Sequence, residues 1–227
     1  MSHSDATAAE ERWRGARGRT DVRRLPEKQV RDRAALDRLL DAALVAHVAV
    51  TDGAQPFVVP LAFARDHDHL LVHGSTASRA FRSLAAGVQT CATVTVVDGL
   101  VVARSQFESS MRYRSAMVLG TFAALHGADK ERALQVLAAR LLPGLRDARP
   151  PSEKELRATT VLALPLDEWS LKVSDGHPED DRGDLARPAW AGVVPLQHTW
   201  GEPEPAPDLA PGIEVPPAVA AWPEGRA

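Results

Sequence analysis

The sequence predicts a mainly β protein with interspersed helices, an antiparallel barrel rather than a doubly wound parallel sheet. Three observations predict it. β-rich runs flank Asp52-Gly53 and again flank Asp98-Gly99, a dipeptide that signals a short hairpin. Helical periods interrupt these runs, but no strand-helix-strand rhythm recurs. Neither an internal repeat nor a long Gly/Ser linker divides the middle of the chain, so residues 25–200 are expected to fold as one domain.

Residues 1–24 mix small polar side chains with Arg12, Arg14, Arg17, Arg19, Arg23 and Arg24 and show no apolar period, the pattern of an extended arm. Leu36, Leu39, Leu40 and Ala43 have the spacing of an amphipathic helix, with Asp32 as N-cap. Val45–Val50 is β-rich and ends at Asp52-Gly53, and Phe57–Ala64 returns as its partner. Pro60 removes one ladder donor, so an edge or a bulge is expected there. A polar turn, Arg65–Asp68, leads into a third strand, His69–Gly74, and Thr76–Ala86 follows as a helix stopped by Gly87. Val88–Val97 and Leu100–Ser105 should form a second hairpin about Asp98-Gly99, and a further strand runs from about Ser115 to Leu125. Leu134, Leu137, Ala138 and Leu141 mark another helix, and Ser152 with Glu155 forms a capping box for a short one. Thr160–Leu164 and Trp169–Val173 close the β pattern. From residue 201 to 227, seven prolines (203, 205, 207, 211, 216, 217 and 223) are too dense for helix or paired strand, which predicts an irregular tail.

Composition narrows the function. Thirty acidic against 27 basic side chains leave a net charge of -3, so nucleic acid is not an expected partner. Hydrophobic residues at 44% and charged ones at 25% exclude wholesale disorder. The single cysteine, Cys91, excludes an intrachain disulfide and a Cys-rich metal site, and it reads as an inert core thiol. Without a long apolar stretch or a signal-like N-terminus, a cytoplasmic protein with no membrane partner is expected. Walker, G-x-G-x-x-G, H-E-x-x-H and G-x-S-x-G signatures are absent.

Two segments carry chemistry. In His73-Gly74-Ser75-Thr76-Ala77-Ser78-Arg79 a strand runs into a helix, so first-turn amides, the hydroxyls of Ser75, Thr76 and Ser78, and the Arg79 guanidinium form a phosphate cradle. The alternative is a simple cap, with Arg79 and Arg82 solvated. In Ser109–Ser115 the only tyrosine, Tyr113, stands among Arg112, Arg114 and hydroxyls, a mixture suited to a planar anionic ligand or to a solvated strand edge. His67, His69 and His73 resemble metal ligands, but His69 and His73 lie about 13 Å apart along a strand, too far for one zinc. No metal is expected. His47, among valines, reads as a core or interface histidine.

In their order, the first Asp-Gly hairpin, Pro56–Leu61, Leu71–Ser75, Ser78-Arg79 and Met111–Ser115 resemble the pyridoxamine 5′-phosphate oxidase-like family of FMN-binding split barrels, particularly its branch near the nitroimidazole-resistance proteins. The likeness extends from about Arg23 through Trp169–Val173 and Pro188–Leu196. It implies an antiparallel six-stranded split barrel, a homodimer, and FMN shared between the subunits. It further implies that Val59, Pro60 and Leu61 face the flavin ring through backbone groups, and that His73 and Gly74 lie near the ring and ribityl chain. Ser78 and Arg79 would take the phosphate, with Ser75 in the same cradle. Tyr113, Arg114 and Ser115 would border the flavin from another strand. Two positions depart from the family: Ala80 replaces a common lysine, and Arg112 replaces the usual asparagine. The C-terminal Arg and His motif that contacts pyridoxal phosphate is not recognisable, so pyridoxamine phosphate oxidation is not expected. The expected function is therefore an FMN-dependent oxidoreductase acting on a small molecule, with His73 as its proton-transferring residue or as a flavin-packing one. A non-catalytic flavin-binding or sensing protein, and a barrel reassigned to haem or deazaflavin, are the other classes.

Overall fold

The computed structural model describes residues 18–144 and 148–224. Of the arm expected for residues 1–24, residues 1–17 lie outside them. Its continuation, from Gly18, runs along the barrel: Arg19 pairs with Glu168, and the Gln29 side chain ties down the backbone of Thr20 and Val22.

The strands are β1 (Gln29–Val30), β2 (Val45–Asp52), β3 (Gln55–Asp66), β4 (His69–Ser75), β5 (Gln89–Val102), β6 (Ser110–Thr121), β7 (Ala123–Ala124), β8 (Thr159–Pro165), β9 (Glu168–Ser174) and β10 (Gly192–Pro195). All form one sheet, and every pairing is antiparallel. It closes into a ring because β6 continues past Phe122 into β7, which pairs with β8; the circuit runs β2, β3, β4, β8, β7/β6, β5 and back to β2. That circuit is the six-stranded barrel, and β9, β1 and β10 extend it at the margins. Among the described residues no helix is long and apolar enough to cross a membrane.

Alternation sorts the strands' side chains. Ala46, Val48 and Val50, Phe63, Leu70 and Val72, Ala92 and Val94, Ala116 and Val118, and Leu162 and Leu164 all point inward to one buried core. Helix α1 (Arg33–Ala42) adds Leu36, Leu39 and Leu40, and begins where the Asp32 carboxylate accepts from the Ala34 and Ala35 amides. Helix α2 (Arg79–Ala85) adds Phe81 and Leu84. Helix α3 (Gly127–Leu141) covers a second, smaller cluster on the outside of β4 and β8, with Ala133 and Leu137 against Leu71, Val161 and Ala163. Helix α4 (Glu153–Ala158) carries the expected capping box.

Several expectations are corrected. Asp98-Gly99 does not turn the chain: β5 passes straight through it, with a bulge that shifts its register on β6 between Val97 and Gly99. The bulge is fixed from both sides. The Asp98 carboxylate accepts two hydrogen bonds from Arg114, at 2.9 and 2.7 Å, and its backbone carbonyl accepts from the Leu196 amide. Gly99 is needed for the close approach of β10, since a Cβ there would lie 2.6 Å from the Val194 carbonyl oxygen. Because β5 continues, β6 has a partner from Ser110 onward and starts earlier than expected. α2 begins at Arg79 rather than Thr76: the Thr76 amide donates to the Ala158 carbonyl, which pulls residues 75–77 into a turn, and Ser78 becomes the cap. The Pro-rich tail contains a helical turn, α5 (Pro217–Ala220), because Pro216 and Pro217 stand where a helix needs no amide donor. His47 is exposed and Cys91 half-buried, both on outward-facing positions next to buried Ala46, Val48 and Ala92, so neither is a core residue.

Candidate functional site

The barrel is split. β3 pairs with β4 only through Phe63–Asp66, whereas Gln55–Ala62 pairs with β2 alone and His73–Ser75 pairs with β8 alone. The strands part between these two stretches. Pro60 sits on the free edge, where a missing amide costs no ladder bond. Val59, Pro60 and Leu61 therefore form one lip of the opening, and His73, Gly74, Ser75, Ser78 and Arg79 form the other. Phe57 bridges them, with the Arg79 guanidinium carbon 4.9 Å from its ring centroid.

Local chemistry shapes the second lip. A Cβ at Gly74 would fall 2.3 Å from the Phe81 ring, so only glycine lets the start of α2 pack against the strand that feeds it. Ser75 Oγ accepts from the Ala77 amide and Ser78 Oγ from the Phe81 amide. Arg82 is not merely solvated: it donates to the Ala77 carbonyl at 2.6 Å and staples the turn. His73 is half-buried, and its Nδ1 is buried without a hydrogen-bond partner. Burial disfavours the charged ring, which lowers its pKa below the ordinary histidine value.

From the first lip the outer face continues across the sheet. Pro60, His47, Thr93 and Met117 stand opposite one another across β3, β2, β5 and β6, and cross-strand partners share a face. One step along, Thr95 and Ser115 are bonded through their hydroxyls at 2.8 Å, and Tyr113 lies opposite Val97. Ser115 and Tyr113 thus share the outer face with Pro60, three strand spacings or about 14 Å across the sheet, and they lie two and four residues further along β6. Arg114 does not join them. It alternates to the other side of β6, where Asp98 holds it; that bond raises its pKa further.

The outer face is unusually apolar for exposed sheet. Val194, Leu100 and Met111 form a second row across β10, β5 and β6, 50%, 58% and 45% exposed, and Val58 on the free edge is 62% exposed. Sequence reasoning missed Phe57 and Asp98. Phe57 had a signal, an aromatic beside Pro56 on the strand already marked as an edge. Asp98 was legible as a charge within a valine run, but its partner sixteen residues on was not. Two hollows of about 350 Å³ lie elsewhere: one between Arg19, Gln29 and Glu168, the other between α1 and the β9–β6 edge.

A family model described as pyridoxamine 5′-phosphate oxidase matches residues 32–173. No curated protein matches. Among solved structures, a FAD and haem binding protein from Mycobacterium smegmatis is 45% identical, covering 86% of this chain and 97% of its own, with a TM-score of 0.84. The flavocytochrome Anf3 from Azotobacter vinelandii is 37% identical over 90% of this chain and 96% of its own, with a TM-score of 0.85. A protein assigned to 5-nitroimidazole antibiotic resistance in Bacteroides thetaiotaomicron is 24% identical over 64% of this chain and 86% of its own, with a TM-score of 0.54.

Proposed function

The chain belongs to the pyridoxamine 5′-phosphate oxidase family, and from that premise we propose that it binds a flavin nucleotide at the split and acts as an oxidoreductase on a small molecule. The observation that carries this reading is the opening itself: two strand lips, a buried Nδ1 on His73 with no protein partner, and an aromatic-cation pair at Phe57 and Arg79. These residues fit a flavin. Backbone groups of Val59, Pro60 and Leu61 on the free edge offer hydrogen bonds to a polar ring edge. Ser75, Ser78 and Arg79 supply hydroxyl and cationic donors for a phosphate, and Tyr113 and Ser115 border the same face.

The unit these residues recognise is riboflavin 5′-phosphate, which is free FMN or the flavin half of FAD. FMN follows from the family resemblance, whereas the name of the relative at 45% identity favours FAD. A bound flavin supplies the electron transfer. The chain's own work is to hold the ring at the split, exclude water from one side of it, and keep His73 neutral near pH 7, so that its ring can accept a proton at Nδ1. The exposed apolar face needs a cover, and we assign that role to a second copy of the chain, which makes the site a shared one.

A second reading is favoured by the names of the two relatives at 45% and 37% identity: haem in addition to flavin. The test is the absorption spectrum of the purified protein with the mass of the released cofactor. Flavin bands with the mass of FMN or FAD support the first reading and separate its two forms. A Soret band adds haem, and a colourless protein that takes up no added flavin overturns the proposal.

A further inference from the structure

The hollow beneath α1 has the chemistry of a separate binding site. Its floor is aliphatic: Val30 on β1, Ala35 on α1, and Leu171 and Val173 on β9. Its rim carries Arg38 and Arg114, with one carboxylate, Asp32. Asp32 is already committed, since its two oxygens accept from the Ala34 and Ala35 amides, and Arg38 stands off from it at 3.6 Å with its side chain 70% exposed. Arg114 is held in place by Asp98 through Nε and Nη2, which leaves Nη1 for a further acceptor. The rim therefore presents two guanidiniums, one exposed and weakly paired with Asp32, the other pre-oriented by Asp98, above an apolar floor.

The hollow lies on the opposite side of the sheet from the flavin face. Arg114 stands opposite Val173, and Ala116 opposite Leu171, both buried in the core, whereas Ser115 stands opposite Lys172 on the outer side. A second copy covering the outer face would leave it open.

We propose that this hollow binds a small amphipathic monocarboxylate, an aliphatic or aromatic acid, with its apolar part on Val30, Ala35, Leu171 and Val173 and its carboxylate between Arg38 and Arg114. The volume, about 350 Å³, suits a ligand of that size. The Arg38 fork can match a carboxylate in two parallel hydrogen bonds, Arg114 adds one from Nη1, and the weak, exposed contact of Arg38 with Asp32 costs little to give up. An amine would meet two guanidiniums, and the carboxylates beside them, Asp32 and Asp98, already accept from the Ala34 and Ala35 amides and from Arg114; an alcohol would bring no charge to the donors that Arg38 and Arg114 present.

Titration of the full-length protein, with whatever cofactor it carries, by octanoate, 3-phenylpropionate, octan-1-ol and octylamine tests this, with melting temperature and calorimetry as readouts. At least one acid is expected to bind saturably and raise the melting temperature, while the alcohol and the amine do not. Arg38→Glu, at an exposed position, should weaken that acid at least ~10-fold without unfolding the chain, and Ala35→Trp, which fills the hollow, should abolish its binding. Flavin content should stay unchanged in both variants, which separates failure here from failure at the split. No saturable binding of either acid, equal binding of alcohol and acid, or undiminished affinity in Arg38→Glu overturns the proposal.

Discussion

At the scale of single residues, two side chains at the split differ in what they can be asked. Arg79 lies on the rim beside Phe57, so Arg79→Ala should weaken flavin by about 1.5–3 kcal/mol, the range for a charge-assisted hydrogen bond; titration of apoprotein measures this, and unchanged affinity moves the phosphate elsewhere. His73 makes a different prediction, through pH. Its folded pKa is lowered by burial, so the unfolded chain takes up this proton first as pH falls below about 6.5. The stability that a neutral His73 contributes is fully present above that value and is lost as pH falls toward the lowered folded one. His73→Phe should therefore lose less stability than wild type between pH 7.5 and pH 5 in urea unfolding, and an equal loss in both proteins would show that the ring titrates normally. Gly74 was marked in the sequence only through the family resemblance, as a residue near the ribityl chain; that its Cβ position belongs to the Phe81 ring is a fact of packing that no local pattern carries.

Among the elements, those with local causes were the legible ones. The Asp32 cap and the Leu36, Leu39, Leu40 stripe of α1, the capping box of α4 and the first hairpin follow from residues within one turn or one strand length of each other. The first lip of the split was legible for a similar reason, since Pro60 calls for an edge or a bulge. Asp98-Gly99 failed as a hairpin because its conformation is decided by distant partners, Arg114 on β6 and Val194 on β10. Those same partners make a test. Gly99→Ala forces a Cβ against the Val194 carbonyl and should cost about 1–3 kcal/mol, with β10 detaching from β5. Hydrogen exchange should then show the Leu196 amide, which donates to Asp98, losing its protection; full protection in the variant would mean that β10 is held by something other than this approach. The earlier start of β6 and the turn ahead of α2 have the same origin in long-range pairing.

The whole molecule presents a closed ring with one face left bare. The row of Val194, Leu100 and Met111 and the free edge at Val58 are exposed in the single chain, and the split opens onto that face. Static light scattering of the flavin-loaded protein should give twice the mass of the chain, and a monomer that keeps its flavin would sink the shared site. Closure of the ring has a consequence in time as well as in space. The strand that completes it, β8, pairs with both β4 and β7, yet it is made long after β4 has left the ribosome. Until Thr159–Pro165 emerges, the nascent chain is an open sheet with bare edges at β4 and β7, and its apolar strand Leu70–Val72 is available to any other strand. The barrel is thus completed by one late event between segments distant in the chain, which makes its folding slow and its half-made form the one most in need of a chaperone.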